Sequence, residues 1–96
     1  MIPEEIRSIL SVHKEELIKK YKLKEIAIFG SYIRGEQKIN SDIDILVEFE
    51  EVPDLLQFIE LEQYLETLFN IKVDLVRKAA IRPEIRQTVL KEAVQV

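Results

Sequence analysis

Ile26-Ala27-Ile28-Phe29-Gly30-Ser31-Tyr32-Ile33-Arg34-Gly35 and, after six more residues, Asp42-Ile43-Asp44-Ile45-Leu46-Val47 form the stretch from which the rest of the chain can be read. Each half is an apolar run bounded by turn residues, which reads as a strand. The first strand covers about 24–29 and stops at Gly30. The second covers about 42–49. Ser31 to Gly35 predicts one short helical turn, and Asn40-Ser41 a turn before the second strand. The chain has only two glycines, and both lie in this stretch.

Side chains alternate along a strand, so Asp42 and Asp44 share one face. Ile43, Ile45, Val47 and Phe49 take the other, towards the core. Two adjacent carboxylates repel unless a cation lies between them or one is protonated. Oxygen ligands of this kind favour magnesium or manganese. Gly30 permits close backbone approach and an unusual φ. Ser31 offers a hydroxyl and backbone N–H groups that suit a phosphate. Arg34, one helical turn on, has two readings: a forked phosphate contact or a surface ion pair with Glu36. Together these residues point to a site for a metal-bound nucleoside triphosphate.

Working outward, residues 3–21 predict a helix, with Pro3 in its first turn and Glu4 and Glu5 at its positive end. Ile6, Ile9, Leu10, Leu17 and Tyr21 share one face. Asp54 is the expected N-cap of a second long helix that runs to about Phe69 and closes at Asn70. Its apolar stripe reads Leu55, Phe58, Ile59, Leu61, Leu65, Leu68 and Phe69. Ile71 to Val76 reads as a third strand, and Pro83 to Val94 as a last helix. The expected fold is α+β: a small mixed sheet of three or more strands, with helices packed on one side or at both ends. The helix between the second and third strands favours a parallel crossover for that pair. Alternation on the third strand then brings Asp74 onto the face of Asp42 and Asp44. Three such carboxylates can hold two ions ~3.5–4 Å apart.

Ninety-six residues make one domain, 1–96. An apolar fraction of 47% excludes a disordered chain. No apolar run nears the ~20 residues a membrane span needs. No signal peptide is read at the N-terminus, so the expected location is the cytoplasm. The absence of cysteine excludes disulfides and thiolate metal sites. Abundant Lys, Glu and Ile lean towards a thermophile. The net charge of −4 argues against direct nucleic-acid binding. Arg77, Lys78, Arg82, Arg86 and Lys91 nonetheless make a locally basic stretch, read first as a solvated helix face. His13, the sole histidine, reads as a half-buried core-edge residue. Tyr32 has two readings, under a base or at an interface. Lys72 shares the face of Asp74. Glu48, Glu50 and Glu51 read as an exposed strand end.

The motif Gly30-Ser31, ten residues, Asp42-Ile43-Asp44, with Asp74 on a later strand, resembles the nucleotidyltransferase superfamily typified by DNA polymerase β. The fuller strings Gly30 to Gly35 and Ser41 to Val47 resemble the minimal nucleotidyltransferases of prokaryotes, over nearly the whole chain. The resemblance implies the nucleotidyltransferase fold. It implies that Gly30 and Ser31 bind the nucleotide, joined by Arg34 on the reading of its position given above, and that Asp42, Asp44 and Asp74 are catalytic residues and metal ligands for two Mg2+ ions, with Mn2+ as a substitute. It further implies ATP as substrate and transfer of AMP to a hydroxyl. Minimal members often serve as antitoxins beside a HEPN-type ribonuclease toxin, and some adenylylate a tyrosine of it. The expected partner is therefore a HEPN-type toxin protein, in a homo- or hetero-oligomer. Two rivals stand beside this reading: an antitoxin that neutralises by contact alone, and a metal-binding regulatory domain.

Overall fold

The structure is a computed structural model, which describes residues 2–96. Helix α1 spans Pro3–Tyr21, with Pro3 and the two glutamates in its first turn. The Ile2 N–H donates to the Glu5 carboxylate at 3.2 Å. Ile6, Leu10, Leu17 and Tyr21 are buried along one stripe. Then come β1 (Leu23–Phe29), α2 (Ser31–Arg34), β2 (Ile43–Phe49), α3 (Leu55–Phe69) and β3 (Val73–Arg77). A 3-10 turn at Lys78–Ala80, α4 (Pro83–Glu92) and β4 (Val94–Gln95) complete the order.

The caps of α3 follow from sequence. Asp54 accepts from the Gln57 N–H at 2.7 Å, and the Gln57 side chain accepts from the Asp54 N–H at 3.3 Å. Asn70 closes the helix in the left-handed conformation, φ 53. The strands order β3-β2-β1-β4. β1 is antiparallel to β2 and to β4. β2 and β3 are parallel, joined by α3 as the crossover requires.

The main core lies between one sheet face and helices α1 and α3. Ile43, Ile45 and Val47 of β2 and Val73 and Leu75 of β3 meet Leu10, Leu17, Leu61 and Leu65 there. Each fully buried leucine contributes roughly 2 kcal/mol of transfer free energy.

Three expectations change. Helices cover both faces of the sheet rather than one side or both ends: a smaller cluster of Ala27, Leu46 and Ile81 lies on the opposite face, with Val89, Leu90 and Ala93 packed against it. Leu46 is as buried as its neighbours Ile45 and Val47, so β2 carries apolar residues on both sides at its centre. The last helix stops at Glu92 instead of Val94, because Val94 and Gln95 pair with Ile28 and Ala27 as a fourth strand. Finally, Leu55 and Ile59 do not belong to the core stripe of α3 but are 72% and 38% exposed. At 3.6 residues per turn the direction shared by Leu61, Leu65 and Phe58 leaves both well off axis.

Candidate active site

The apolar alternation of β2 aims Asp44 away from the main core. Its parallel register sets Asp44 opposite Asp74 of β3, and its antiparallel register sets Asp44 opposite Phe29 of β1. Gly30 follows Phe29 directly. The expected meeting of Asp44 with Asp74 on adjacent strands is therefore built into the sheet. Asp42 lies one residue before β2 and is exposed, as is Asp74, whereas Asp44 is half-buried.

The surroundings of Asp44 raise its carboxyl from the ordinary 3.8 to about 6. Burial is the largest cause and the charge of Asp74 the second, with Asp42 adding less. The Ser31 backbone N–H opposes them. Ionising this group thus costs free energy that a cation between the acids relieves. A preformed three-acid cage is nevertheless not present: among the described residues no three His, Cys, Asp or Glu side chains are gathered to hold an ion. Asp44 and Asp74 are within hydrogen-bonding reach of one another, while Asp42 is exposed just before β2.

Gly30 is indispensable on two grounds. Its φ of 81° is a conformation that L side chains rarely adopt. A Cβ there would overlap the Asp44 Oδ2 and lie 2.7 Å from its Cγ. The absent side chain is the space in which Asp44 sits. The Gly30 carbonyl accepts from the N–H groups of Ile33 and Arg34, both at 3.1 Å. Gly35, in the left-handed conformation, ends the turn, and Glu36 N–H donates to Ser31 O at 2.9 Å. The half-buried Ser31 stands at the start of α2, directly beside Gly30.

Arg34 takes up both acidic neighbours within reach. Its Nε donates to Glu36 at 3.2 Å and its Nη1 to Glu92 at 2.6 Å. The ion pair with Glu36 is the alternative anticipated from sequence; the one with Glu92 is not. Sequence reasoning missed Glu92, taking 77–91 as a basic stretch. The available signal was an acid in the last turn of a helix, where the dipole disfavours it.

Tyr32 is core rather than a base platform: it is buried, and its hydroxyl donates to Ser41 O at 3.4 Å. His13 is half-buried as expected, its ring edge-on to Tyr64 with centroids 6.3 Å apart. The basic stretch is divided, with Lys78 bonded to Glu25 and Arg86 donating to Ile81 O. A cavity of about 120 Å3 lined by Lys20, Tyr21, Glu51 and Pro53 lies beyond the far end of β2 and contains none of the acids. Asp42 and Asp74 are exposed on the acidic face, part of which Val89 and Leu90 of α4 cover. No helix among the described residues is long and apolar enough to cross a membrane.

Comparison with known proteins shows the family. Residues 10–96 match the nucleotidyltransferase domain family. The chain is 57% identical over 93 residues to the protein adenylyltransferase MntA of Thermococcus cleftensis, covering 97% of this chain and 94% of that protein. A solved structure described as a minimal nucleotidyltransferase superposes with a TM-score of 0.84 at 34% identity, covering 100% of this chain and 97% of the other. The solved complex of a tri-AMPylated HEPN toxin with an MNT antitoxin from Shewanella oneidensis matches with a TM-score of 0.61 at 28% identity, covering 88% of this chain and 69% of the other. A Gly-Ser turn packed against acids on two parallel strands, a family match across most of the chain and close relatives of nearly equal length lead to one conclusion: this chain belongs to the nucleotidyltransferase family and is a nucleotidyltransferase.

Proposed function

We propose that this enzyme transfers AMP from ATP to a tyrosine hydroxyl of a partner HEPN-type toxin, in the cytoplasm and with magnesium, and so acts as an antitoxin. The observation that carries the reading is the pairing of Asp44 with Asp74 beside Gly30, in surroundings that make a lone negative charge on Asp44 costly. The donor set consists of carboxylates without histidine or cysteine, which suits a hard divalent cation. Asp42 and Asp44 would hold it, with Asp74 completing the set.

Magnesium, when bound, neutralises charge on the triphosphate and on the departing pyrophosphate. The chain's own residues supply the rest. The Gly30-Ser31 turn and Arg34 grip the phosphates and orient the α-phosphorus. Asp74, exposed to an incoming acceptor, accepts the proton of the attacking hydroxyl. The acceptor oxygen bonds to the α-phosphorus, the bond from that phosphorus to the bridging oxygen breaks, and pyrophosphate leaves. Arg34 must exchange one of its two glutamate partners for phosphate as the nucleotide docks.

The exposure of Asp42 and Asp74 supports a macromolecular acceptor, whose approach to them is unobstructed by their own burial. The AMPylated toxin in the Shewanella oneidensis complex, and the adenylyltransferase name of the Thermococcus cleftensis relative, support AMP and a toxin as the transferred group and the acceptor. The test is incubation with labelled ATP, magnesium and the partner toxin. The expected result is label on a toxin tyrosine, abolished in the Asp42→Asn/Asp44→Asn double variant. Label that persists in that variant overturns the reading. So does full protection from the toxin by the same variant, which would leave neutralisation by contact.

A further inference from the structure

We propose that Glu92 is a positioning residue for the phosphate-gripping turn; this rests on the nucleotidyltransfer reading above and names how that turn is held. One oxygen, Oε1, accepts from the Gly30 N–H at 3.1 Å and from Arg34 Nη1 at 2.6 Å. It thus ties together the two residues expected to meet the triphosphate. Glu92 is the less exposed partner, its side chain 15% accessible against 47% for Arg34.

The location of Glu92 is held from both sides in the chain. It is the last residue of α4, whose apolar residues Val89 and Leu90 pack on the acidic face of the sheet. Two residues later Val94 pairs with Ile28 of β1, and β1 leads directly into Gly30. The bracket from β1 to β4 therefore delivers the carboxylate to the turn that ends β1.

Helix energetics do not explain the residue. A carboxylate in the last turn opposes the helix dipole, and partial burial adds desolvation. Local rules broken without local gain are expected at functional sites. Here the offsetting contacts are the Gly30 N–H and the Arg34 guanidinium. Fixing the Gly30 amide holds the unusual φ that leaves room for Asp44. Fixing Arg34 sets its guanidinium beside the turn before nucleotide arrives, which lowers the ordering cost of binding. Glu92 acts through Gly30 and Arg34, to which its carboxylate is bonded, so its effect falls on nucleotide affinity rather than on the chemical step.

Two measurements on wild type, Glu92→Gln and Glu92→Ala test this: amide exchange at Gly30, and binding of a non-hydrolysable ATP analogue with magnesium, with KM and kcat for transfer read alongside. The amide oxygen of glutamine still accepts from Gly30 but carries no charge for Arg34. Gly30 exchange is expected to stay slow in Glu92→Gln and to accelerate roughly tenfold or more in Glu92→Ala. Analogue affinity and KM are expected to weaken about three- to tenfold in Glu92→Gln and further in Glu92→Ala, with kcat within about twofold, the size of one lost charge-assisted hydrogen bond. The charge-dependent part is expected to vanish when Arg34→Ala is the background. Unchanged Gly30 exchange in Glu92→Ala overturns the proposal whatever the nucleotide does. Accelerated exchange with unchanged analogue affinity overturns it too, while leaving nucleotidyltransfer intact. A wild type that fails to bind the analogue overturns the nucleotidyltransfer reading and this proposal together.

Discussion

Replacing Asp44 by Asn is expected to abolish transfer and, in metal-free protein near pH 8, to stabilise the fold. The native carboxyl holds its proton up to about pH 6, whereas the unfolded chain releases it near 3.8. Between those values the native state binds more protons than the unfolded one, so stability declines as pH rises. Above about pH 6 the whole penalty is present; below 3.8 none is. At ~1.4 kcal/mol for each tenfold in proton affinity, the penalty approaches about 3 kcal/mol, and the half-buried setting of Asp44 discounts it towards 2. Asparagine resembles the neutral form and keeps an oxygen for the Ser31 N–H. The expected gain is therefore about 2 kcal/mol at pH 8, or on the order of 10 °C in Tm for a domain of this size. It should shrink to about 0.5 kcal/mol by pH 4. Urea denaturation of both proteins in chelator at pH 4 and pH 8 provides the measurement. A gain of equal size at both pH values, or none at pH 8, would refute the electrostatic reasoning.

Other expectations follow from the same geometry. Gly30→Ala should destabilise by roughly 1–3 kcal/mol through its strained φ and its overlap with Asp44, and should lose activity beyond what thermal melting accounts for. Magnesium with ATP should raise the Tm of wild type, by about 2.7 kcal/mol of stabilisation at a hundredfold excess over Kd, but should not move the Asp42→Asn/Asp44→Asn variant. Leu65→Ala, a fully buried position remote from the acidic face, should cost about 2–5 kcal/mol in urea denaturation while leaving KM for ATP unchanged below the melting point. Asp54→Ala should cost about 1 kcal/mol by removing the α3 cap and leave transfer intact.

Much of this molecule can be read from its residues because its signals are local. Pro3 and the early glutamates begin α1, Asp54 and Asn70 bound α3, and a crossover helix makes β2 and β3 parallel. That parallel pairing is what brings Asp74 to Asp44, so the long-range meeting of acids was legible from a connection rule. The features that escaped are those without a local signature. β4 is two residues long and has no alternation to reveal it; only pairing with β1 defines it. The end of α4 then moves from Val94 to Glu92, since a residue in a ladder cannot also continue a helix. Leu55 and Ile59 are apolar and helical, but apolar character alone does not say which direction faces the sheet. The cover of α4 over Ala27 and Leu46 was hidden because a central strand packed on both sides loses its alternation. Glu92 escaped for the same reason as β4: its partners lie 58 and 62 residues away in sequence.

The division of β2 has a consequence for how this enzyme can fail. Ile43, Ile45 and Val47 face one layer, and Asp44 with its neighbours faces the other. A slip of β2 by one position against its partners would drive the Asp44 carboxylate into the leucines of α1 and α3 and pull Ile43, Ile45 and Val47 out of the main core, towards the smaller layer that holds Leu46 under α4. Such a shifted chain would be too unstable to persist. Quality control of the pleat is thereby also quality control of the acidic face: molecules that fold at all carry Asp44 on the side of Asp74, and well-folded misassemblies should be rare in any preparation.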